Sequence, residues 1–81
     1  MSKYELFCMI FYVLDAEWDE TKNKHLGTFL SNPITIENSY EFALHYINSL
    51  HDHGLSRVFN RINKAEWTDC VKEYLSSNHD S

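Results

Sequence analysis

Five histidines and two cysteines are the side chains of this sequence best suited to hold a metal or form a covalent intermediate. Their spacing speaks against both uses. His51-Asp52-His53 has the composition of a metal site, but on a helix residues two apart point about 200° away from each other. His45 and Asp52 share a helical face, yet seven residues at the helical rise leave them about 10.5 Å apart. Ligand bonds to zinc are only about 2.0–2.2 Å long, and no His-x-x-x-His or Cys-x-x-Cys frame is present. Residues 51–53 therefore read as the last turn of a helix, where histidines suit the negative end of the macrodipole. Cys8 lies in an apolar run and Cys70 stands alone; both read as reduced, buried thiols. A Cys8–Cys70 bridge is the competing reading. Gly-x-Ser-x-Gly, a phosphate-cradling glycine loop and Gly-Lys-[Ser/Thr] are all missing. No enzymatic activity, metal or cofactor is expected.

Carboxylates give a stronger signal. Asp15, Glu17, Asp19 and Glu20 fall within six residues around Trp18. Near the C-terminal end of a helix each anion is disfavoured by about 0.3–1 kcal/mol, and Asp15 and Asp19 repel one another at i, i+4. Two accounts compete. A helix that continues past residue 20, or neutralisation by Lys22 and Lys24 (Glu20–Lys24 being an i, i+4 pair), would make the run a solvated face. Alternatively, the acids form a patch for a basic partner with Trp18 as its aromatic anchor, the composition typical of interface hot spots. Phe42 and Tyr46, four residues apart, form a second candidate contact on the face opposite an inward stripe; the equal alternative is a helix sandwiched between the first helix and the 55–62 segment, with both faces packed.

Helices must position these groups, and three start signals are legible. Ser2…Glu5, Asn38…Glu41 and Asn63…Glu66 each have capping-box spacing. The first helix, about 3–20, carries one stripe of Phe7, Ile10, Phe11, Leu14 and Trp18 and another of Leu6, Met9 and Val13, which predicts a central place in the fold. A strand over residues 6–14 is the alternative. The helix over 39–53 has Tyr40, Ala43, Leu44, Ile47, Leu50 and His51 on its inward side, with Gly54 as its left-handed stop. The last, about 64–77, places Trp67, Cys70, Val71 and Tyr74 on one face, with a frayed tail from about residue 77. Short helices are expected at 25–30 and 55–62. Asn32-Pro33 ends the former, and Ile34-Thr35-Ile36 reads as extended.

The whole is an all-α fold, a compact bundle of three main helices plus one or two short ones, occupying residues 1–81 as a single domain. Length supports that reading, since 81 residues suffice for one small domain. Two glycines and one proline argue against a barrel built from many tight hairpins. The longest apolar run, Leu6 to Leu14, is far short of the roughly 20 residues that span a bilayer, and it lacks the flanks of a secretion signal. A cytoplasmic location without membrane contact is expected.

Charge bounds the partners. Seven basic and twelve acidic residues give a net charge of −5, which excludes an electrostatic nucleic-acid binder. Residues 1–54 hold the whole excess of acid, and Arg57, Arg61 and Lys64 are too few for a nucleic-acid surface. The expectation is a small acidic protein-binding module of the immunity-protein, antitoxin or phage anti-defence type, blocking the basic surface of a nucleic-acid-processing enzyme. Its predicted contacts are Asp15, Glu17, Trp18, Asp19, Glu20, Phe42 and Tyr46. A self-associating structural or adaptor domain is the alternative, and the surplus apolar surface of residues 6–14 predicts a homodimer.

Overall fold

The computed structural model describes residues 2–36 and 38–79. Five helices follow one another, α1 (Lys3–Thr21), α2 (Lys24–Ser31), α3 (Ser39–Leu50), α4 (His53–Asn60) and α5 (Lys64–His79), and there is no strand among the described residues. The fold is all-α, and residues 6–14 are helical. Helices α1 and α5 occupy segments predicted for main helices, and the third such segment, 39–53, is divided between α3 and the start of α4.

Local chemistry explains most of the boundaries. The Ser2 hydroxyl accepts from the Glu5 N–H at 3.1 Å while the Glu5 carboxylate receives the Ser2 N–H. Asn63 and Glu66 form the same reciprocal box, at 2.9 and 3.0 Å. Asn23 caps α2 by accepting from the His25 and Leu26 amides. The box predicted at Asn38 does not form. Asn38 lies in the left-handed region (φ 59°) and makes no side-chain cap, because an N-cap needs extended backbone to turn its side chain over the first helical turn.

The predicted helix over 39–53 is two helices. His51 takes the left-handed conformation (φ 56°) that ends α3, and Asp52 opens α4 by accepting from the Leu55 N–H at 3.0 Å. The predicted stop, Gly54, is the second residue of α4. His51-Asp52-His53 is thus a helix–helix junction rather than a last turn, since a strong N-cap aspartate competes with continuation of the helix. Ile34-Thr35-Ile36 corrects a second expectation. The segment is a turn, with the Thr35 N–H and hydroxyl donating to the Asn32 carbonyl at 3.2 and 2.9 Å. A lone apolar triplet has no strand to pair with, so β-branched propensity is overridden. The last helix runs on to His79, past the predicted start of fraying. Asp80 and Ser81, the end of that tail, lie outside the described residues.

Helix α1 packs on α2, α4 and α5, while α3 lies against α4 and α5. Leu6, Phe7, Ile10, Phe11 and Leu14 are buried. The second predicted stripe holds only at Leu6, for Val13 is half-buried and Met9 is 39% exposed. One flank of α1 therefore faces outward.

Trp67 is the hub of the core. Its fully buried indole lies 4.8 Å from the ring of Phe7, 5.4 Å from Phe59, 6.2 Å from Tyr40 and 6.4 Å from Phe29. The indole N–H donates to the Ser39 hydroxyl at 3.0 Å. One side chain thus joins α5 to each of the other four helices, with its polar atom satisfied as buried indoles require. Among the described residues no buried side-chain nitrogen or oxygen lacks a partner.

Candidate partner-binding surface

The acidic residues occupy the end of α1. That helix stops at Thr21, where Lys22 turns left-handed (φ 54°) and its N–H reaches back to the Trp18 carbonyl at 2.7 Å. No basic residue stands in the last turn of α1, so the carboxylates face the negative end of the dipole. Of the two cations expected to neutralise these acids, Lys22 pairs with one of them and Lys24 does not. Lys24 begins α2 beyond the chain reversal, and neither it nor Glu20 belongs to an ion pair among the described residues. The compensating cation is Lys22. Its ammonium lies 3.1 Å from an Asp19 carboxylate oxygen and 4.3 Å from the Trp18 ring centroid. Both partners of that ion pair are mostly exposed, so it contributes little.

Helical geometry sorts the acids. Asp15, Asp19 and Glu20 are exposed; Asp15 and Asp19, four residues apart, share the outward flank of α1, and Glu20 lies about 140° round the helix from Asp15. Glu17, about 200° from Asp15 around the helix, is half-buried on the other flank. Trp18 turns inward: its half-buried indole lies over α2, where a Cβ added to Gly27 would meet the indole Nε1 at 2.5 Å. Trp18 is thus a packing residue between α1 and α2 as well as a wall of the groove there. That groove, of about 770 Å³, runs past Asp15, Trp18, Lys24, Gly27 and Leu30.

Phe42 and Tyr46 stand elsewhere. Of the two readings of these residues, the one in which the helix packs more than one face accords better with the structure, because both are half-buried and Phe42 stacks on Phe29 of α2 at 4.9 Å and on Tyr46 at 6.2 Å. Neither clefts nor grooves lined by Asp15 include them. Helix α3 uses more than one face in packing, as a helix in so small a bundle must.

Tyr12 was hidden in the sequence. It is 77% exposed on the same flank as Asp15 and Asp19, three and seven residues before them. Its place in a nine-residue apolar run masks this, and only its i, i+3, i+7 relation to the acids signals an outward position.

Other reactive groups are placed as follows. Cys70 is buried and Cys8 half-buried, and both are free thiols. Burial first, then the nearby Glu73 and Asp69 carboxylates, pushes the Cys70 thiol above its ordinary value, which disfavours the nucleophilic thiolate. Tyr4 is raised too, by burial and by a hydrogen bond with Cys8. Among the described residues, no three His, Cys, Asp or Glu side chains are grouped to hold a metal ion.

No known protein family, curated protein or solved structure matches the chain. The functional reading accordingly rests on the surface itself. No helix among the described residues is long and apolar enough to cross a membrane.

Proposed function

We propose that this chain is a small acidic protein-binding module, an inhibitor of the immunity-protein, antitoxin or phage anti-defence type. It acts in the cytoplasm without a cofactor, covering the basic surface of a nucleic-acid-processing enzyme. One observation carries the reading: Asp15, Asp19 and Glu20 stand exposed at the dipole-disfavoured end of α1, with Lys22 as the sole paired cation among the described residues of that turn. Folding alone gains nothing from acids there, whereas a basic partner would be steered and oriented by them. Glu17 and Trp18 border the patch. Phe42, stacked on Phe29 of α2, and Tyr46, stacked on Phe42, would form a second contact apart from the patch.

A self-associating adaptor is the second reading, favoured by the exposed Met9 and Tyr12. Charge opposes it, because pairing two copies through this flank sets carboxylates against carboxylates.

The test compares wild type with an Asp19→Lys/Glu20→Lys variant as immobilised baits in lysate, followed by nuclease, polymerase or helicase assays on what is captured. Reversal places cations where the helix dipole favours them, so the variant should fold at least as well as wild type. The expected result is a basic nucleic-acid enzyme, inhibited by the wild-type chain and captured at least about tenfold less by the variant. Equal capture by both baits, or an enzyme that remains fully active when bound, overturns the reading.

A further inference from the structure

Beside Tyr12 the flank of α1 opens into a cleft of about 320 Å³, lined by Cys8, Phe11, Tyr12, Asp15, Leu30 and Tyr74. Three of the six are aromatic, one is aliphatic, and the sole ionised group is Asp15. Phe11 and Tyr74 are themselves in contact, 5.2 Å between ring centroids, so the aromatic wall is held by α1 and α5 together. Asp15 is exposed and forms no ion pair among the described residues. The volume lies at the lower end of the range of small-ligand pockets, a match for one extended side chain.

We infer that this cleft is a receptor for an arginine side chain of the basic partner, with the guanidinium on the Asp15 carboxylate and over the Tyr12 ring. Charge complementarity identifies the occupant. A carboxylate at the mouth of an aromatic cleft selects a cation whose stem is apolar, and the ring faces of Tyr12 and Tyr74 attract positive charge. Arginine suits such a site better than lysine, because its guanidinium is planar, stacks on aromatic rings and is more weakly hydrated. A second copy of this chain is a poorer occupant, since its matching flank brings Asp15 and Asp19 toward the same acids. The inference deepens the proposed function and rests on it for the partner's basic character.

The probe is the peptide acetyl-Gly-Arg-Gly-amide, titrated into ¹⁵N-labelled protein and followed by NMR, with the lysine and the uncharged citrulline peptides alongside. The expected result is saturable shifts at Tyr12, Asp15, Leu30 and Tyr74, with a Kd on the order of millimolar, weaker for lysine and absent for citrulline. Asp15→Asn and Tyr12→Ala, both at exposed positions, should each weaken binding by about threefold or more, and Glu41→Gln on α3 should not. Shifts spread evenly over all exposed carboxylates, or binding unchanged in Asp15→Asn, overturn the assignment. Shifts of the same residues on diluting the protein alone would give the cleft to a second copy and equally overturn it. Arginine binding in the cleft without capture of any nucleic-acid enzyme would sink only the proposed function. Capture with no response to Asp15→Asn in the peptide titration would sink only the cleft.

Discussion

Trp67→Ala is expected to destabilise the protein by about 3–5 kcal/mol, the range for truncating a large buried aromatic. The indole is fully buried and within 6.4 Å of rings from α1, α2, α3 and α4. Its removal leaves a void at the single point where all five helices meet. It also strands the Ser39 hydroxyl, which now accepts from the indole N–H. Against a total stability of about 4–12 kcal/mol for a chain of this size, such a loss removes from about a quarter to all of it. Urea melts measure it through the midpoint at constant m. A loss below about 1 kcal/mol would show that the core is not organised around Trp67.

Phe29→Ala carries a loss of similar size, about 3–5 kcal/mol, for a different reason. Helix α2 is eight residues long and buries only Leu26 and Phe29. So short a helix has no stability of its own in water and exists through tertiary packing. Phe29 ties α2 to the rest of the core, stacked on Phe42 at 4.9 Å and tilted against Phe11 at 5.3 Å. Hydrogen exchange distinguishes the outcomes. The expected pattern is an α2 whose amides lose protection first and most, with α1 and α5 following only as global stability falls. Uniform loss across all helices would mean that α2 is not a separately detachable unit.

Why some features were legible in the sequence and others were not follows from where the information resides. Ser2…Glu5 and Asn63…Glu66 are local devices, complete within four residues, and both form. The inward stripes of α1 and α5 also follow from period alone, including the burial of Trp67. Asn38 and Gly54 show the limit of that approach. A capping box requires a backbone conformation as well as two side chains, and Asn38 is turned left-handed. Glycine is the usual helix stop, but Asp52 as an N-cap makes His51 the break instead. The acidic patch was legible as composition. What composition could not reveal is which acids share a face, that Trp18 leans on Gly27, and that Tyr12 stands outward beside Asp15. Those depend on where α2 and α5 meet α1, a tertiary fact with no local signature.

Under the proposed function, exposed carboxylates at the end of α1 steer this chain to a basic protein surface. Stopped-flow association with the captured enzyme tests it most directly, measured for wild type and for Asp19→Lys/Glu20→Lys at about 0.05 and 0.5 M salt. Long-range steering is screened beyond about 10 Å at 0.1 M salt, and steered complexes gain about 10–10³-fold in association rate. Wild-type association should therefore fall at least about tenfold between the two salts, while the variant associates slowly at both. Wild-type association indifferent to salt, with a variant that binds as fast, would contradict the account.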